Sequence, residues 1–275
     1  MITIENLSFY YKKDKPVLED ISMKIGNGIY GLLGENGAGK TSLLHLLCGL
    51  LFPKSGICQI NGYSSFLRQP DMLVQLFFFP DNFGMHTVNI RDFAKRHSVF
   101  YPDFNREVFE ENLNDFKITG YEKPAELSFG QKKKALISYV LALNTPVILM
   151  DEPTNGLDIT SRSILKKMIA RTISDDQCLI ISTHQVPDFE NLLDAVIILG
   201  QQKVLLNSTM EEIAKKLVFT QTETEPLNAI YCKQTIQGYS SVLVNESGKE
   251  STVNIESLYN AVLENDALIR SLFNV

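Results

Sequence analysis

The eight residues GENGAGKT, Gly34 to Thr41, follow the spacing G-x-x-x-x-G-K-[ST] at Gly34, Gly39, Lys40 and Thr41. That spacing is a phosphate-binding device. Gly34, Gly37 and Gly39 permit backbone angles that other residues resist, so successive N–H groups, those of Glu35, Asn36 and Ala38 among them, can curl around a phosphate chain. A helix opening at Ser42 would add unpaired donors and the positive end of its dipole. Lys40 is placed to reach the outer phosphates, and the Thr41 hydroxyl suits Mg²⁺. A second constellation is Val147-Ile148-Leu149-Met150-Asp151-Glu152, an apolar strand ending in two acids. A buried strand would set Asp151 beside the phosphate loop to support the Mg²⁺ shell through water, and Glu152 toward the terminal phosphate to orient or deprotonate a water. A third is Leu127-Ser128-Phe129-Gly130-Gln131. Ser128 can cap the helix that follows, and Gly130 lets its backbone approach an anion closely.

The elements that must hold these residues are legible around them. Ile29–Leu33 reads as a buried strand and Ser42–Leu51 as a buried helix, so the glycine-rich turn sits between them as the motif requires. Residues 1–25 alternate polar and apolar, which predicts antiparallel strands around a turn at Lys12–Pro16. Cys58–Ile60 and Leu76–Phe79 are strand-like, with a polar Tyr63–Asp71 stretch between them. From Thr87 to about Leu143 the pattern turns helical, with a cap at Asn105 ahead of Val108, Phe109, Leu113 and Phe116. Val147–Met150, Leu179–Ser182 and Ala195–Leu199 then alternate with helical stretches, as in an α/β sheet with parallel strands. Residues 216–228, which include FTQTETEPLN, read as a linker. Residues 229–275 read as a small extension with a hairpin at Val242–Val253, turning around Asn245–Gly248, and two amphipathic helices. The second of these carries Leu268, Ile269 and Leu272.

Composition narrows the classes. A chain of 275 residues with 44% hydrophobic residues can bury a full core. Its net charge of −6 argues against a protein that mainly grips nucleic acid. Cys48, Cys58, Cys178 and Cys232 are scattered without a C-x-x-C pair, which predicts reduced core thiols in a cytosolic protein. MITIENLSFY has neither a basic nor an apolar leader region, so no signal peptide is expected. The longest apolar runs fall short of the roughly 18 residues a membrane span needs.

The order of motifs resembles the nucleotide-binding domain of ATP-binding-cassette (ABC) transporters over roughly residues 1–215. The resemblance implies a P-loop NTPase core with a mostly parallel sheet, an N-terminal antiparallel β subdomain and an inserted helical subdomain at about 85–145. Beyond the linker, the sequence adds a small α+β C-terminal extension. In that family GENGAGKT is the Walker A loop, VILMDE the Walker B strand and LSFGQ the signature, whose Ser128, Gly130 and Gln131 would meet ATP held by another subunit. Asn155-Gly156-Leu157-Asp158 matches the D-loop that touches the opposite subunit, and His184 the switch histidine that contacts the γ-phosphate. Tyr11 aligns with the aromatic that stacks on adenine, with Tyr10 and Phe9 as alternatives.

Two departures stand out. Phe129 replaces the first of the signature's two central glycines, and Asp81 occupies the place of the Q-loop glutamine, where it could still sit in a Mg²⁺ water shell. The resemblance implies an ATPase using ATP and Mg²⁺, with Lys40, Glu152 and His184 at the reacting phosphate. It would dimerise head to tail, as homodimer or heterodimer, and drive separate transmembrane permease subunits from the cytoplasmic face of the membrane, reaching the membrane only through those partners. The single short cassette and stretches such as HSVFYPDF, His97–Phe104, resemble bacterial exporter-type members and favour export. A soluble relative acting in translation or DNA repair is the alternative. The first would carry two cassettes and the second a very long coiled coil, and neither feature is present.

Overall fold

The computed structural model describes residues 1–13, 15–83, 88–184, 189–246, 248 and 251–274. In chain order the strands are β1 (Ile2–Lys12), β2 (Lys15–Ile25), β3 (Gly28–Leu33), β4 (Ser55–Ile60), β5 (Tyr63–Ser64), β6 (Leu76–Phe79), β7 (Val147–Asp151), β8 (Cys178–Ser182), β9 (Ala195–Gly200), β10 (Lys203–Thr209), β11 (Leu217–Thr222), β12 (Tyr231–Thr235) and β13 (Gly238–Val244). The helices are α1 (Lys40–Leu47), α2 (Pro70–Leu73), α3 (Ile90–His97), α4 (Arg106–Asp115), α5 (Phe129–Ala142), α6 (Ile159–Thr172), α7 (Met210–Lys216), α8 (Ile255–Glu264) and α9 (Asp266–Phe273).

Among the described residues the strands form three sheets, ordered β2-β1-β4-β5, β10-β9-β3-β8-β7-β6 and β11-β13-β12. The middle sheet is the frame of the molecule. Its strands β6, β7, β8, β3 and β9 run parallel, and β10 closes one edge antiparallel to β9. The central strands are almost wholly buried and apolar because alternate side chains enter two different cores. Val147 and Leu149 face one core with Leu43, Leu44 and the first sheet, while Ile148 and Met150 face the other with α4, α5 and α6. Parallel neighbours also align their ends in register: Asp151 pairs with Ser182, and Leu32 with Ser182 across β3 and β8. Functional residues at strand ends therefore gather along one edge of the sheet.

The N-terminal sheet is antiparallel as the alternation predicts, with Ile2↔Ile25 and Lys12↔Lys15 paired. The helical subdomain is present as α3 to α5. Its expected beginning, residues 85 to 87, lies outside the described residues. Asn89, Asn105 and Ser128 each cap the helix that follows by accepting a backbone N–H.

The extension differs from expectation in two respects. Residues 217–222, read as linker, form β11, an edge strand paired to β13 from Leu217↔Val244 to Thr222↔Tyr239. Its polar sequence is tolerated because an edge strand buries little beyond Leu217 and Val218. The turn of the hairpin expected at Val242–Val253 falls partly outside the described residues, and among the described ones β13 ends at Val244 while 251–253 form no strand. A hairpin joins β12 and β13 through Ile236-Gln237, between the paired Thr235 and Gly238. Gly238, with φ 113°, supplies the backbone angle that turn requires. The two C-terminal helices form as expected, although Leu268 of α9 is exposed.

Candidate functional site

The site begins with the turn between β3 and α1. Gly39 caps α1 in the left-handed region, φ 101°, and a Cβ there would come within 2.9 Å of Leu18 Cδ2. Only glycine fits, and the consequence is a helix whose first residue is Lys40. The Lys40 side chain folds back over the loop, its Nζ donating to the carbonyl oxygens of Gly34 at 2.6 Å and Glu35 at 3.1 Å. Burial pulls its pKa below the ordinary lysine range, against the pull of the Glu152 and Asp151 carboxylates.

Across the sheet edge, Thr41 Oγ1 donates to Asp151 Oδ2 at 2.8 Å, and Ser182 Oγ donates to Asp151 Oδ1. The Ser182 hydroxyl also accepts the Glu152 N–H at 3.1 Å. Glu152 lies just beyond β7 with φ 46°, an uncommon backbone angle for a residue with a side chain. Its Oε1 is 2.9 Å from His184 Nδ1, while its Oε2 is buried without a hydrogen-bond partner. A buried carboxylate oxygen without a protein partner is costly, which makes Glu152 Oε2 the acceptor in the site with most to gain from a donor.

Lys40, Thr41, Asp151, Glu152 and His184 line one cavity of about 490 Å³, together with Tyr11, Asn36, Gly37, Ser42, Asp81 and Asn155. Of the three candidate aromatics Phe9 is buried and Tyr10 lies under the Lys54 ammonium. Tyr11 lines the cavity, 64% exposed, with its hydroxyl 3.2 Å from Ser42 Oγ. An exposed ring at the cavity mouth is free to offer a face to a base. Asp81 also reaches the cavity, but its Oδ1 bonds Lys133 Nζ at 3.1 Å and Asn155 Nδ2 at 3.3 Å. Where a place in a metal's water shell was expected, its charge faces an ammonium.

Ser128, Gly130 and Gln131 lie outside this cavity. Ser128 and Gln131 close a reciprocal capping box at the start of α5, and Ser128 is exposed. A Cβ on Gly130 would come within 2.7 Å of the Gly156 carbonyl oxygen. The glycine is thus needed for contact with the Asn155–Asp158 loop of its own chain. Phe129 stacks on Phe83 with ring centroids 5.9 Å apart and packs beside Gly156. Lys134 pairs with Asp158, whose carboxylate Ser161 and Lys134 hold down to about 2.

Two functional neighbours escaped the sequence reading. Ser182 was legible as a polar end to an apolar strand, whereas Lys133 looks like one more solvated lysine in Lys132-Lys133-Lys134. On the far side of β6 an apolar groove of about 570 Å³ runs between the phosphate-loop core and the helical subdomain, lined by residues that include Leu50, Val74, Phe78, Phe100 and Tyr101. The extension reaches the site from behind: Glu256 and Tyr259 of α8 share a smaller cavity with Glu35 and His184.

A family model described as ABC transporter matches residues 18–155. An ABC transporter ATP-binding protein of Methanocaldococcus jannaschii is 31% identical over 268 residues, covering 94% of this chain and 95% of that protein. The chain belongs to the ABC transporter ATP-binding family. The ATP-binding protein NatA of Bacillus subtilis is 28% identical over 257 residues, spanning 87% of this chain and the whole of that one. In fold, the solved structure of an ATP-binding subunit of an ABC transporter matches with a TM-score of 0.70 at 24% identity, over 78% of this chain and 91% of that one. As an ABC ATP-binding subunit the chain is an ATPase. No helix among the described residues is long and apolar enough to cross a membrane.

Proposed function

We propose that this ABC subunit hydrolyses Mg²⁺-ATP in a head-to-tail dimer and thereby powers export through separate transmembrane subunits. The observation that carries the reading is the division of the motifs. Lys40, Thr41, Asp151, Glu152 and His184 share one cavity, whereas Ser128 and Gly130 are outside it at an exposed helix start. A second copy, or a related subunit, would bring its own Ser128 and Gly130 to that cavity and close it over ATP. Closure then depends on the terminal phosphate, and hydrolysis releases it.

The donors suit a small hard cation, being oxygens of a hydroxyl and a carboxylate beside an unpartnered carboxylate oxygen. Thr41 and Asp151 would hold Mg²⁺, which neutralises charge on the phosphates. Lys40 would exchange the carbonyls of Gly34 and Glu35 for phosphate oxygens. Tyr11 would stack on adenine. Glu152 would orient and deprotonate the attacking water, with His184 holding the other carboxylate oxygen. The rest of the chain, from Leu217 on, would brace the phosphate loop from behind through Tyr259.

The groove beside β6 supports docking of a short helix from a transmembrane subunit, because it is apolar, open and adjacent to the Asp81 loop. His97, Phe100 and Tyr101 of the stretch on which export is favoured contribute to its lining. Cross-linking tests the dimer. In a Glu152→Gln background, Ser128→Cys and Asn36→Cys on different copies should form an intermolecular disulfide when ATP is present. ATP-independent or absent cross-linking would oppose the dimer. Cargo accumulation in inside-out vesicles tests export, and accumulation in the opposite orientation would oppose it.

A further inference from the structure

Lys133 lies behind the cavity, in contact with two residues that line it, without belonging to any of the site's motifs. It lies on the first turns of α5, and its side chain has no solvent exposure. Its Nζ donates to Asp81 Oδ1 at 3.1 Å and to the Glu152 carbonyl oxygen at 2.7 Å. The rings of Phe79 and Phe129 lie on either hand, each centroid 5.7 Å from the ammonium. A lysine held in such a setting must have both a countercharge and satisfied donors, and here Asp81 supplies the charge and Glu152 an acceptor.

The Glu152 peptide is the telling partner. Its φ of 46° is one that a residue with a side chain adopts only when its surroundings hold it. On the N–H side the restraint is Ser182, through both backbone oxygen and hydroxyl at 3.1 Å. On the carbonyl side the oxygen accepts from Lys133 Nζ at 2.7 Å and from the Asn155 N–H at 3.2 Å, the lysine being the only one of the two that brings a charge. The same ammonium is gripped by Asp81, two residues beyond the end of β6.

We propose that Lys133 is a positioning residue for Glu152, and that the Asp81 carboxylate holds the ammonium in the place from which it aims the water-orienting side chain. Asp81 acts on the ammonium and contributes nothing to Mg²⁺. Phe129, where the family signature has glycine, supplies one wall of the ammonium's slot. This inference rests on the reading of the chain as a hydrolysing ATPase with Glu152 at the water.

The test uses the full chain, with Mg²⁺-ATP turnover and equilibrium binding of a fluorescent ATP analogue measured separately. Lys133→Met keeps most of the length of the side chain and removes the charge. It should lower kcat by ~10- to 100-fold while KM and analogue affinity stay within about twofold, the split expected when aim is lost and binding is not. Asp81→Asn retains an oxygen for the ammonium, and should leave unchanged the Mg²⁺ concentration giving half-maximal activity. Adding Asp81→Leu to Lys133→Met should lower kcat no further, because both act through one contact. Wild-type kcat in Lys133→Met, or a parallel loss of kcat and affinity, overturns the proposal. So does a several-fold rise in the Mg²⁺ requirement of Asp81→Asn, which remains decisive if Lys133→Met does not fold. A wild-type chain that binds ATP and never hydrolyses it would overturn the underlying reading instead, and this one with it.

Discussion

Glu152→Gln replaces one carboxylate oxygen by an amide NH2 and isolates the proposed chemistry from the binding. In the native site Oε1 lies 2.9 Å from His184 Nδ1 and Oε2 is buried without a partner. Glutamine keeps an oxygen for His184 and nearly the same volume, so the fold and the phosphate loop should be undisturbed. What it loses is the ability to take a proton from the water that the unpartnered oxygen would face. Removing a positioned general base costs ~10²- to 10⁴-fold in turnover. At about 1.36 kcal/mol per decade that is about 3 to 5 kcal/mol of transition-state stabilisation. Nucleotide binding should survive, because Lys40, Thr41 and the loop N–H groups are unchanged. Phosphate release would be measured alongside mass by light scattering with and without ATP. The expected result is turnover reduced by at least about a hundredfold together with an ATP-dependent dimer. Turnover within about twofold of wild type would refute the assignment, since an amide cannot serve as the base.

Three further outcomes follow from the same geometry. Lys40→Ala removes a charged donor already poised over the loop and should weaken ATP binding by roughly 10- to 150-fold, read by titration calorimetry; unchanged affinity would undo the phosphate-loop assignment. Gly130→Ala forces a Cβ to within 2.7 Å of the Gly156 carbonyl oxygen, so either α5 or the Asn155–Asp158 loop must shift. ATP-driven dimerisation of Glu152→Gln should therefore fail when Gly130→Ala is added, while monomer binding of ATP persists, and an unimpaired dimer would show that this contact does not set the interface. Burial pushes the Cys48 and Cys58 thiols up to about 11 and Cys178 to about 12, so at neutral pH they should resist a thiol reagent until the protein is unfolded. Cys232, only partly buried, should react first, and fast labelling of all four would contradict the packing.

Much of this was legible in the sequence because the informative signals are local. A glycine-rich turn between an apolar strand and an apolar helix leaves little choice of geometry, and Gly39 and Lys40 adopt it. Strands buried on both faces read as continuous apolar runs, which is why β7, β8 and β9 were found almost to the residue. The extension was harder. An edge strand needs mainly backbone pairing, so the polar β11 resembled a linker. Asn245 and Gly248 carry turn chemistry that drew the hairpin away from Ile236-Gln237, where Gly238 alone signals it. Lys133 and Ser182 were missed for a different reason: their roles arise from which strand ends and helix starts the topology brings together. One lysine among three consecutive lysines is buried under Phe79 and Phe129, and nothing local in the sequence distinguishes it.

Purification of the chain from its native cells in mild detergent tests most directly whether this ATPase works on separate transmembrane subunits. A polytopic membrane protein should be recovered with it at near-equal stoichiometry, and be lost when Leu50 and Phe100 in the groove are replaced by charged residues. Recovery from the soluble fraction with ribosomes, DNA or nothing would contradict that role.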